Sequence, residues 1–66
     1  MDEIDIWRAA NLLIEQHGPQ AILEAARRQV AMLENDDAEG AAVWARITLA
    51  ISTLMSGKPA PHEVWQ

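Results

Sequence analysis

From Asp36 to Gly57 the chain reads DDAEGAAVWARITLAISTLMSG, and this stretch decides the fold. Val43, Trp44, Ile47, Ala50, Ile51 and Leu54 recur at steps of three and four, the period of one helix face. Asp36 as N-cap and Glu39 three residues later form a D-x-x-E box, and acids suit the positive end of the helix dipole. Gly57 and then Pro59 stop the helix. Trp44 stands mid-stripe and is expected at the centre of the core.

Working upstream, a second helix is expected from Pro19 to about Glu34. Its apolar face would be Ile22, Ala26, Gln29, Val30 and Leu33, with Leu23, Ala25 and Met32 at the margins. Glu24, Arg27, Arg28 and Glu34 fall on the opposite side, where the Arg27-Arg28 pair can meet the two glutamates. Asn35 can end this helix in the left-handed region. Further upstream, Ile6, Ala10, Leu13 and His17, extended by Trp7 and Ile14, give a helix over Glu3–His17. Asp2 can cap it, with Asp5 three residues on, and Gly18-Pro19 ends it. Downstream, Lys58–Gln66 holds two prolines and reads as an extended tail. No strand pattern competes. The class is all-α: a three-helix domain over 1–57 and a tail over 58–66. Short connections favour antiparallel neighbours, hence a three-helix bundle, or a helical hairpin whose third helix completes a dimer.

Sixty-six residues set a ceiling of one domain. Half are hydrophobic, but twelve of these are alanines, so the core is thin. Cysteine is absent, which removes disulfides and Cys-based metal sites and suits the cytoplasm. The start, Met1-Asp2-Glu3, lacks the basic and apolar regions of a secretory signal. No apolar run approaches the ~20 residues that span a bilayer. The net charge of −5 disfavours direct contact with nucleic acid and favours a partner with a basic surface.

Residues able to carry chemistry do not converge. His17 and His62 lie in no metal-binding spacing. Ser52, Thr53 and Ser56 lack the glycine turn of a nucleophile elbow. Gly18-Pro19-Gln20 is no phosphate loop. Glu34, Asp36, Asp37 and Glu39 form an acidic patch, but not in the ligand order of a calcium loop. These acids serve helix capping and solubility, or contact with a basic partner surface. No catalytic residue, cofactor, metal or small-molecule substrate is expected.

Interface signals are stronger. Ala42, Ala45, Leu49 and Ser52 lie off the main stripe of the third helix, as Leu12 lies off that of the first. Small residues around one leucine permit close approach of another helix. Trp65, near the end of the tail, either folds back or anchors a contact.

The set Ile6-Trp7, Ala10, His17-Gly18, Ala21, Ala25, Asp37, Gly40, Trp44, Ile47, Ala50 and Leu54 resembles a group of short uncharacterised helical proteins of alphaproteobacteria. The resemblance covers most of the chain. It implies a bacterial, cytoplasmic setting, Trp7 and Trp44 as core anchors, and Gly18 and Gly40 as backbone devices; it implies no activity. The residues themselves point to a non-enzymatic protein–protein interaction module that self-associates. The alternative is a small inhibitor or accessory protein of the phage or mobile-element type, whose acids block a basic, nucleic-acid-handling surface of its partner.

Overall fold

The computed structural model describes residues 2–56, and every element among them is helical. α1 spans Glu3–His17, a 3-10 turn follows at Gly18–Gln20, α2 spans Ala21–Glu34 and α3 spans Ala38–Met55. The expected tail, with Val64 and Trp65, lies outside the described residues.

Each helix end has a local cause. Gly18 closes α1 at φ 57, where its N–H donates to the carbonyl of Ile14. Only glycine adopts this backbone at no steric cost. Pro19 then sits in the 3-10 turn, so α2 begins two residues later than the sequence suggests. At the α2 end the left-handed residue is Asp36, at φ 60, and not Asn35, which stays near the right-handed region at φ −100. The Asp37 N–H donates to the Met32 carbonyl at 2.8 Å and the Asp36 N–H to the Leu33 carbonyl at 3.1 Å, the pattern of a Schellman closure. The N-cap of α3 moves by one for the same reason. Asp36 is occupied in the closure, so Asp37 caps, accepting the Gly40 N–H at 2.9 Å. Asp2 precedes α1 in extended conformation without a side-chain cap; its carbonyl accepts the Ile6 N–H instead.

α2 and α3 run antiparallel, joined by three residues. Met32 lies beside Gly40 and Arg28 beside Trp44. Ala21 and Ala25, both fully buried, join the core that Ile47 and Ile51 of α3 share. Small residues on α2 therefore meet large ones on α3, which lets the two axes approach closely. α1 packs on the second half of α3 and adds Ile6, Ala10 and Leu13 to the same core. The largest fully buried side chains are Ile47 and Ile51. Trp44, expected at the centre, is only partly buried and packs against the core from its edge. It sits under the Arg28 guanidinium, 5.1 Å from its ring centroid. An indole at an edge keeps its N–H hydrated while its ring covers aliphatic neighbours.

The main departure from the sequence reading concerns α2. At 100° per residue, Ala21, Ala25, Arg28 and Met32 form one stripe, and that stripe faces α3. Leu23, Ala26 and Val30 lie half a turn round the helix, pointing away from the core. Of the face expected inside, Ile22, Val30 and Leu33 are exposed, while Ala26 and Gln29 are half-buried. Two causes act together. The three-residue connection leaves α2 little freedom to roll. Turning Leu23 and Val30 inward would also push the axes apart and open the contacts of Ala21 and Ala25.

Candidate interaction site

The outer face of α2 carries Leu23, Val30 and Leu33 at 51%, 52% and 55% exposure, with Ile22 on its margin. A shallow groove along it is lined by Leu23, Ala26, Arg27, Val30, Ala31 and Glu34. Leu23, Ala26, Val30 and Leu33 are spaced three, four and three apart, the repeat of a helix-pairing seam. Arg27 and Glu34 edge this seam on one side. Isolated exposed leucines are ordinary on a protein surface, whereas a continuous apolar stripe marks a contact.

Arg28, on the stripe that faces α3, and its neighbour Glu24 are committed to the fold. The Arg28 Nε donates to Glu24 Oε2 at 2.9 Å, and the same guanidinium covers Trp44. The hydrogen bond from Arg28 holds the Glu24 carboxyl below its ordinary value. Among the described residues this is the one ion pair, so the expected pairing of Arg28 with Glu24 is present, while Arg27 and Glu34 are left out of it.

The residues singled out from the sequence fall elsewhere. Leu49 is the most exposed large apolar side chain among the described residues, at 69%. It borders a depression between α1 and α3 together with Ile6, Trp7, Arg46 and Thr53. Ala42 is exposed and Ala45 half-buried on the same helix. Leu12 is 52% exposed on α1. Trp65 lies outside the described residues. Of the acidic patch, Asp37 is the cap of α3 and Asp36 the left-handed residue of the closure. Glu34 and Glu39 are exposed at the same end.

The outer face of α2 is not marked as a surface in the sequence, although its residues stand out by their spacing. Periodicity shows which residues share a face but not which face turns inward. The available signal was the second stripe, Ala21 and Ala25, small enough for close helix contact. Among the described residues no group of histidine and acidic side chains could hold a metal ion, and no helix is long and apolar enough to cross a membrane. No buried side-chain nitrogen or oxygen lacks a hydrogen-bond partner there. No family model, no curated protein and no solved structure matches the chain.

Proposed function

We propose that this chain is a non-enzymatic protein–protein interaction module, a small three-helix bundle whose working surface is the outer face of α2. The observation that carries the reading is the continuous stripe of Leu23, Ala26, Val30 and Leu33 on a helix already packed through its opposite side. A stripe of this kind matches the helix-in-groove and helix-on-helix modes of recognition. The net charge of −5 directs the module toward protein and away from nucleic acid. The lack of cysteine fits a cytoplasmic setting.

The test is site-specific photo-crosslinking in living cells. A benzophenone amino acid replaces Val30, and in a control replaces the exposed Glu15 of α1. Position 30 should give a discrete protein adduct that Glu15 does not give, and adding Leu23→Asp should abolish it. If position 30 yields no adduct above the control, the reading is wrong.

A further inference from the structure

We infer that the occupant of the outer face of α2 is a second copy of the same chain, paired antiparallel about a two-fold axis level with residue 28; this rests on the reading above. Three observations select that occupant and that direction.

The first is the pattern of the stripe. Leu23, Ala26, Val30 and Leu33 step by three, four and three, so the spacing is the same read from either end. An isologous contact needs such a self-complementary patch. Antiparallel pairing sets Leu23 against the partner's Leu33 and Ala26 against the partner's Val30. Large side chains then close the two ends, and a small one faces a larger one in the middle.

The second is the placement of charge. The chain carries ten acids and five basic residues, so two copies repel at long range. Six of the acids, Asp2, Glu3, Asp5, Asp36, Asp37 and Glu39, lie at the start of α1, in the turn between α2 and α3 and in the first turn of α3. The seam is edged by one Arg27 and one Glu34, which sum to zero. It is a neutral apolar strip on an acidic molecule, where two like-charged copies can touch. A basic partner would be drawn instead to the acidic turn. Antiparallel pairing also sets the acidic turn of one copy level with the partner's Gln20. The two turns are then about 24 Å apart along the axis, at 1.5 Å per residue. That exceeds the Debye length of about 8 Å at physiological salt. Parallel pairing would bring the two turns side by side.

The third is the edge itself. With residue 28 on the axis, the partner's Glu34 falls level with residue 22, about 7.5 Å along the helix from Arg27. An extended arginine spans that offset. The shared edge then reads Glu34, Arg27, Arg27, Glu34 across the two chains, with an acid outside each arginine. Among the described residues neither side chain is spent on an ion pair within its own chain.

The test is sedimentation equilibrium of the purified full chain, from roughly 5 to 500 µM, with circular dichroism as a check on folding. The wild type should show a monomer–dimer equilibrium. Val30→Asp should weaken it by about tenfold or more, and Arg27→Glu, which makes the edge wholly acidic, by several-fold. Combining Arg27→Glu with Glu34→Arg should restore pairing, because the edge again alternates. Leu49→Asp should leave the equilibrium unchanged. If Val30→Asp loses helicity, the charge variants decide, since both positions are exposed. A wild type that stays monomeric at about 500 µM overturns the inference. So does dissociation by Leu49→Asp with Arg27→Glu silent, or a double variant that fails to recover. A monomer whose position 30 crosslinks to a different protein in cells removes the second copy as occupant and leaves the interaction module standing.

Discussion

Gly40 and Asp37 show how closely this chain is fitted at single residues. The Asp37 carboxylate caps α3 through the Gly40 N–H, and a Cβ built on Gly40 would stand 2.6 Å from the other oxygen of that carboxylate and 2.8 Å from Met32 Sδ. Gly40→Ala gains about 1 kcal/mol of helix propensity. It also drives the cap away and crowds Met32, a loss of roughly 1–3 kcal/mol. The net expectation is a lower melting temperature. In an Asp37→Ala background the cap is already lost, and the same substitution should cost less, since only the Met32 contact still opposes the gain in propensity; a double-mutant cycle by thermal denaturation reads the coupling. A second residue effect follows from Glu24. Its carboxyl is held below the ordinary 4.5 by the hydrogen bond from Arg28. A depressed folded-state value stabilises above the unfolded value and is lost as pH falls through the folded one. The stability advantage of wild type over Glu24→Gln should therefore be full above pH 4.5 and vanish at more acid pH. Denaturant titrations across pH check it. At this scale the sequence was partly legible. Gly18 as the end of α1 follows from its position before Pro19. The exchange of roles around Asn35, Asp36 and Asp37 does not, because three consecutive short polar residues can each cap, and only the closure hydrogen bonds separate them.

Among the elements, α3 is the hub, since both other helices pack against it and its Ile47 and Ile51 are the largest fully buried side chains. The consequence is a steep contrast along one helix. Ile51→Ala should cost roughly 2–5 kcal/mol, as large-to-small changes in a core do, enough to unfold much of a domain this small. Leu49→Ala, two residues away but 69% exposed, should stay within about 0.5 kcal/mol. Urea unfolding at matched protein concentration compares the two; equal losses would show that Leu49 is covered in solution. The existence of the three helical segments was legible from spacing, because that signal is local, while the caps at Asp2 and Asp36 were not. The roll of α2 was not. Ile22, Val30 and Leu33 outweigh Ala21 and Ala25 in hydrophobicity, so a sequence reading puts them inside. The fold instead selects the face that allows close approach to Ile47 and Ile51, which is a property of the pair of helices. The candidate surface is hidden in the sequence for the same reason: its spacing and hydrophobicity are those of a core face.

For the whole molecule the deciding quantity is the excess of acids over bases, five charges on 66 residues. Two copies meeting across α2 bring two such charges together, so the pairing works against a repulsion that acts through solvent. Salt screens exposed charges beyond a Debye length, about 30 Å at 0.01 M but only about 8 Å at 0.15 M. The local contacts of Arg27 with the partner's Glu34 weaken with salt as well, but they are single exposed pairs of the kind that contribute about 0–1 kcal/mol. The apolar layers of Leu23, Ala26, Val30 and Leu33 are not weakened by screening. The sum has a definite sign: raising sodium chloride from about 0.01 M to 0.15 M should tighten the dimer. A module that used its acidic turn to hold a basic partner would show the reverse, since screening removes the attraction. Sedimentation equilibrium of the purified chain at the two salt concentrations, at one pH, measures the first case. A dissociation constant that rises with salt would mean that ion pairs and not the apolar seam hold the copies together, and that the edge residues outweigh Leu23, Val30 and Leu33.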